Sequence, residues 1–151
     1  MGIAAVVALL GIDNASARAQ DPLGDSRVIT EFQRAADSYA FTHRQVERKH
    51  GTPAPNTEGA IFTPPAANAF RQRLQRAIRS AGCEPPQPPG IDFTVPRVNA
   101  SASGSLALST CIGAVLPKLP AELEYRTAGV ALLLVDAHTA VVVDVLHAAF
   151  P

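Results

Sequence analysis

Three side chains that can bind a metal ion follow one another at helical spacing in the first third of the chain. His43, Glu47 and His50 are separated by four and three residues, a spacing that places all three on one face of an α-helix. Imidazole and carboxylate groups are suitable ligands for Zn²⁺, Ni²⁺ or Cu²⁺. Histidines are also common at the polar end of an ordinary surface helix. The pattern therefore offers a metal site and a polar helix end as competing interpretations.

A second group of acidic and imidazole side chains lies near the C-terminus, at Asp136, His138, Asp144 and His147. Asp136 and His138 are two residues apart, so they would share one face of an extended strand. A turn in which Asp136 accepts hydrogen bonds from backbone amides is the interpretation that we favour.

Basic residues recur in the segment that follows Pro64. A basic amphipathic helix can bind anionic lipid headgroups or acidic polysaccharide, although a solvated helix face has the same composition. The arginines concerned are Arg71, Arg73, Arg76 and Arg79.

Motifs for the common enzyme classes are absent from the sequence. Ser109 lacks the Gly-x-Ser-x-Gly frame of a nucleophile elbow, and the chain contains neither a phosphate-binding glycine-rich loop nor a dinucleotide fingerprint. Glu122 and Glu124 share a predicted strand face, but such pairs are too common to indicate acid–base catalysis. We therefore predict that the protein is not an enzyme and has no cofactor. With 13 basic and 13 acidic residues, nothing favours a nucleic-acid partner.

The N-terminus has the layout of a secretory signal peptide. Residues 3–11 are apolar, and the small residues Ala17 and Ala19 precede the predicted cleavage point. The run is too short to cross a bilayer, which takes about 20 apolar residues. No basic residue precedes Ile3, so a buried apolar N-terminal strand or helix is the alternative. We expect a signal peptide at 1–19 and a periplasmic or secreted mature chain.

Two cysteines, Cys83 and Cys111, remain in that mature chain. An even number of cysteines in an exported protein favours a disulfide. Two buried free thiols are the alternative, because the sequence does not fix the distance between them.

Hydrophobic periodicity predicts one α+β domain over 20–151. Apolar residues recur at steps of three and four in the first two segments, which predicts two long packed helices, the first capped by Asp25 or Ser26. From Glu122 the period changes to two, which predicts three antiparallel strands in a C-terminal meander. A membrane span over 129–150 is excluded, because it would bury several charged and polar groups. The predicted segments are a helix at 27–50, a helix at 63–81, a Pro-rich connection at 83–104, a short helix at 106–116 and the meander at 122–147.

Several short motifs resemble a group of small exported bacterial proteins of unknown function. The motifs are Gly59-Ala60-Ile61-Phe62-Thr63-Pro64 with Ala69-Phe70-Arg71, then Val98-Asn99, then Leu116-Pro117-Lys118-Leu119-Pro120-Ala121-Glu122-Leu123-Glu124-Tyr125-Arg126, and finally Leu133-Leu134-Val135-Asp136 with Val142-Val143-Asp144. The resemblance implies export and an α+β fold, and it carries over no functional residue.

Together these observations predict a non-catalytic, exported interaction domain whose partner is a protein or the cell envelope. The alternatives are a periplasmic protein that binds a divalent metal through His43, Glu47 and His50, and an envelope-binding protein that uses the arginine-rich helix.

Overall fold

The computed structural model describes residues 22–86 and 94–151, and it confirms the α+β class. The predicted signal peptide at 1–19 and part of the Pro-rich connection, residues 87–93, lie outside the described residues. The elements in chain order are helix α1 (Pro22–Arg48), helix α2 (Pro64–Ala81), strand β1 (Leu106–Ala107), helix α3 (Thr110–Gly113) and strands β2 (Leu123–Ala128), β3 (Ala131–Asp136) and β4 (Val142–Leu146).

Helix α1 begins at Pro22, five residues before the predicted start at 27. Proline is tolerated at the first helical position because its missing N–H would have no intrahelical partner there. Asp25 therefore lies in the first turn rather than at the cap, and its carboxylate is 2.9 Å from Arg73 of α2. The ring of Phe32 packs 4.6 Å from that of Phe70. A later residue of α1 thus contacts an earlier residue of α2, so the two helices are antiparallel.

The predicted short third helix is present, but it is shorter than the predicted range 106–116, and the start of that segment adds a fourth strand to the sheet. Leu106 and Ala107 pair with Thr127 and Arg126 of β2. Ser109 has an extended backbone, and its hydroxyl accepts the Ile112 N–H at 3.4 Å. Ser109 is therefore the N-cap residue, which lies outside the helix proper. Helix α3 begins at Thr110 and is 4 residues long.

The three predicted strands of the meander are present, and they form an antiparallel sheet in the order β1-β2-β3-β4. Gly129 and Val130 connect β2 to β3 in a tight turn, with Gly129 at a φ of 57° that suits glycine. Strand β3 is buried along its whole length. Leu132 and Leu134 face the helices, whereas Leu133 and Val135 belong to a second apolar cluster on the other face.

That second face is covered by the connection that follows the helices. Val95, Val98 and Ala102 pack against the apolar side chains of β3 and β4. Ser101 forms an antiparallel bridge with Val141, just before β4. This cover explains why β3 is a continuous apolar run rather than an alternating one.

A disulfide joins Cys83, just after α2, to Cys111 in α3, with their Cα atoms 5.6 Å apart. The alternative of two free thiols is therefore wrong. The bond fixes α3 against the helical layer. In the part of the chain that the structure describes, no helix has the length and apolar character needed to cross a membrane.

Candidate metal centre

His43 lies on the inner face of α1 and is only 3% exposed. Its Nε2 is 2.8 Å from Oδ2 of Asp136, the last residue of β3, which is 1% exposed. Tyr39, one turn earlier on α1, donates its hydroxyl hydrogen to the same carboxylate oxygen at 2.9 Å. One buried carboxylate thus connects the helix to the sheet.

The other oxygen of Asp136 organises the turn between β3 and β4. Oδ1 accepts the backbone N–H groups of His138 at 2.9 Å and Thr139 at 2.8 Å. This is the predicted turn, in which the aspartate binds the amides that follow it. The same interaction brings His138 next to the end of α1.

Three ligand-type side chains converge where the turn meets the helix. The Nδ1 atom of His138 is 3.2 Å from Oε1 of Glu47, and the Nδ1 atom of His43 is 3.6 Å from Oε2 of Glu47. One ligand atom from each of the three residues lies within 4.8 Å of the others. Two ligands bound tetrahedrally at the usual Zn–N and Zn–O lengths are about 3.3 Å apart. The spacing therefore fits a common metal ion after small side-chain adjustments.

The Nδ1 atom of His43 is buried and has no hydrogen-bond partner among the described residues. In the neutral imidazole, Nε2–H donates to the Asp136 carboxylate, so Nδ1 presents a lone pair. A buried polar atom without a partner is unfavourable. A metal ion at the centre of the three side chains would use that lone pair, and Asp136 would then be the carboxylate that orients the ligating histidine.

The acid–base properties of this network follow from burial and hydrogen bonding. Burial acts to raise the pKa of Asp136, but hydrogen bonds from Thr139, the Tyr39 hydroxyl and the His138 amide outweigh burial and lower that pKa. Burial, together with the hydrogen bond and the charge of Asp136, raises the pKa of Tyr39. The network therefore contains an ionised Asp136 and a neutral Tyr39, which suits a carboxylate that supports a metal ligand.

His50, the third ligand predicted from the sequence, does not join His43 and Glu47. Helix α1 ends at Arg48, and His50 follows in a left-handed turn with a φ of 50°. Helical spacing therefore no longer applies at this residue, which is exposed. His138 occupies the corresponding place in the cluster.

The group Asp136, His138, Asp144 and His147 is divided between two places. Asp144 is fully buried in β4, where its carboxylate accepts the backbone N–H groups of Gly59, Ile61 and Phe62 at 2.7–2.8 Å. This residue anchors the loop before α2. His147 is exposed, with its Nε2 3.1 Å from Glu58.

The predicted basic face is partly engaged within the fold. Arg71 donates to the backbone oxygens of His147 and Ala148, and Arg73 pairs with Asp25. Arg76 and Arg79 are the two exposed members of the set.

A cavity of about 310 Å³ lies beside His43 and Asp136. It is enclosed by Tyr39, His43 and the segment 53–56, which two hydrogen bonds between Asn56 and Asn99 hold in place. Neither Glu47 nor His138 lines this cavity. The cavity and the converging group therefore share His43 but not the other two side chains.

The sequence pattern identified two of the three converging groups and missed the third. His138 lies in a turn 91 residues after Glu47. Helical spacing carries no information on a contact between residues so far apart in the chain. The available signal was Asp136-x-His138 itself, since an aspartate that organises a turn also orients the residue two positions later.

Comparison of the chain with protein-family models, with curated proteins and with solved structures found no match.

Proposed function

We propose that this protein binds a divalent transition-metal ion through His43, Glu47 and His138. The observation that carries the proposal is the unpartnered Nδ1 atom of His43, which is buried beside a carboxylate and a second imidazole. Two imidazoles and one carboxylate favour Zn²⁺, Ni²⁺, Cu²⁺ or Co²⁺ over Mg²⁺ and Ca²⁺, which prefer oxygen ligands.

The arrangement also contains the support that metal ligands usually have. Asp136 orients the ring of His43 through Nε2 and holds the backbone of His138 through Oδ1. Glu47 and His138 have side chains that are 46% and 53% exposed, so a metal ion could enter from solvent without unfolding the protein. Among the described residues, His43, Glu47 and His138 form the group whose ligand atoms lie close enough together to bind one metal ion.

Isothermal titration of chelator-treated protein with Zn²⁺ and Ni²⁺ tests the proposal. We expect one ion per chain, and we expect Glu47→Gln and His138→Gln to weaken binding at least about tenfold, since loss of a supporting group alone typically costs 10- to 100-fold. Both residues are half-exposed, so these variants should fold, which thermal unfolding would verify. His50→Gln and His147→Gln are matched controls and should bind as the wild type does.

Two outcomes would contradict this assignment. One is the absence of stoichiometric binding by the wild type. The other is a loss of affinity in His50→Gln as large as in His138→Gln, which would favour the ligand set predicted from the sequence.

We also propose export, with cleavage after Ala19. The Cys83–Cys111 bond is compatible with an oxidising compartment, and the mass of the intact protein recovered outside the cytoplasm tests the cleavage point. A mass that includes residues 1–19 would argue against it. The wider expectation of a non-catalytic interaction domain stays a prediction, as does envelope binding through the arginine-rich helix with Arg71, Arg73, Arg76 and Arg79.

A further inference from the structure

The proposed metal site has three protein ligands, and the carboxylate that contacts one of them, Asp136, is already engaged. In residues 22–86 and 94–151, the converging group contains His43, Glu47 and His138 and no fourth histidine, cysteine or carboxylate. Both oxygens of Asp136 are occupied by hydrogen-bond donors. Oε1 of Glu122 is held by Arg44 at 2.6 Å; its Oε2 is buried without a hydrogen-bond partner, but Glu122 is not part of the converging group. Zn²⁺ and Co²⁺ take at least four ligands, and sites with three protein ligands keep an open position.

The direction of that open position follows from the burial of the three ligands. His43, at 3% exposure, forms the inner wall of the site, whereas the side chains of Glu47 and His138 are about half exposed. A metal ion bound by all three would therefore have solvent on the side opposite His43. Its remaining coordination position would face outward and be reachable by molecules in solution.

The charge at this position favours an anion. A divalent ion bound by two neutral imidazoles and one carboxylate has a net local charge of about +1. Arg48 and Lys49, both exposed, directly follow Glu47 in the chain and add positive charge to this end of α1. Arg44 and Glu122 largely cancel each other. The ionised carboxylate of Asp136 offsets part of this charge, but it does so from the buried side and across the imidazole ring of His43.

We propose that the bound metal keeps one exchangeable coordination position, and that this position takes a small monodentate anion of the carboxylate or azide type from solution. This inference rests on the proposed metal binding. It adds the class of ligand that the loaded protein recognises.

Cobalt-loaded protein tests the inference, because the visible absorption of Co²⁺ reports its ligands. We expect Co²⁺ to give visible bands in the wild type, and azide to shift them saturably with one azide per cobalt. Acetate should produce a smaller shift at the same position and should compete with azide. The variant His138→Gln, treated identically, corrects for azide bound to free cobalt.

The possible failures are distinguishable. Absence of protein-dependent cobalt bands would overturn the proposed metal binding itself. Bands that azide and acetate leave unchanged would overturn the exchangeable position while metal binding stands. If cobalt also doubles the mass measured by light scattering, a second copy supplies the fourth ligand, and the anion proposal is wrong.

Discussion

Asp136 is the residue on which the candidate site depends most, although it is not one of the three converging ligands. Its Oδ2 atom binds His43 and Tyr39 on α1, and its Oδ1 atom binds the amides of the turn that contains His138. The carboxylate therefore sets the orientation of one ligand and the position of another. Such partners of metal ligands affect affinity almost as strongly as the ligands do.

Asp136→Asn is accordingly expected to weaken Zn²⁺ binding by about 10- to 100-fold, measured by competition with a chromophoric chelator. The amide keeps a similar shape, but its nitrogen cannot accept hydrogen bonds. It therefore cannot replace the carboxylate toward both the α1 side chains and the turn amides. The same isosteric change at an exposed aspartate of α1, Asp37→Asn, serves as a control. An unchanged Zn²⁺ affinity in a folded Asp136→Asn protein would count against this positioning role.

Glu122 offers a test based on pH. The hydrogen bond from Arg44 lowers the pKa of this carboxyl group from its ordinary value of 4.5, against the opposing effect of burial. The ionised carboxylate therefore adds stability above that pH, and this contribution is lost as the pH falls through the lowered pKa. Arg44→Met should destabilise the metal-free protein by about 1–3 kcal/mol at pH 7, and the difference should shrink below pH 4.5.

The measurement is chemical denaturation at pH 7 and pH 3.5 in the presence of a chelator. Arg48→Met, an exposed change one turn later on α1, should have little effect at either pH. A destabilisation by Arg44→Met that is equal at both pH values would show that the ion pair is not its cause.

At the scale of helices and strands, hydrophobic periodicity predicted the elements that local sequence determines. The two long helices and the three strands of the meander were predicted correctly, because each has a sustained apolar pattern of period 3.6 or 2. In the segment 106–116 the predicted short helix is present as α3, but strand β1 was not predicted, since it is only 2 residues long and exists through its pairing with β2. The contact between His138 and α1 was not predicted either, because it depends on how the sheet packs against the helix.

Asp144 connects strand β4 to the loop before α2, a contact that the sequence does not reveal. It interrupts an apolar strand, and its carboxylate satisfies three amides of the loop that precedes α2. Asp144→Ala should leave these amides unsatisfied and destabilise the protein by at least about 3 kcal/mol, as measured by urea denaturation. Asp37→Ala, on the exposed surface of α1, is the control. A loss below 1 kcal/mol would mean that water replaces the carboxylate at the loop.

The disulfide acts between α2 and α3. Its two cysteines are 28 residues apart, and the chain-entropy relation gives a stabilisation of roughly 3–4 kcal/mol for such a loop. The double variant Cys83→Ala/Cys111→Ala should therefore unfold at a lower guanidinium concentration. The non-reduced wild-type protein should weigh two hydrogens less than the reduced protein. If reduction left the denaturation midpoint unchanged, the bond would not constrain the unfolded chain as expected.

At the scale of the whole molecule, the candidate metal joins parts that are distant in sequence. Glu47 and His43 belong to the end of α1, whereas His138 belongs to the turn between β3 and β4. The disulfide joins a different pair of elements, α2 and α3. The two links are therefore independent, and their effects on stability should add.

Metal binding should consequently stabilise the entire fold and not only the site. An ion that binds the folded state alone adds about 2.7 kcal/mol when its free concentration is 100 times its Kd, which corresponds to a rise in Tm on the order of 10 °C for a domain of this size. Differential scanning fluorimetry with Zn²⁺, reversed by a chelator, measures the rise. The Cys83→Ala/Cys111→Ala variant should start from a lower Tm and show the same rise, because its metal ligands are intact. The Glu47→Gln/His138→Gln variant should show almost none, and an undiminished rise there would place the stabilising ion elsewhere in the protein.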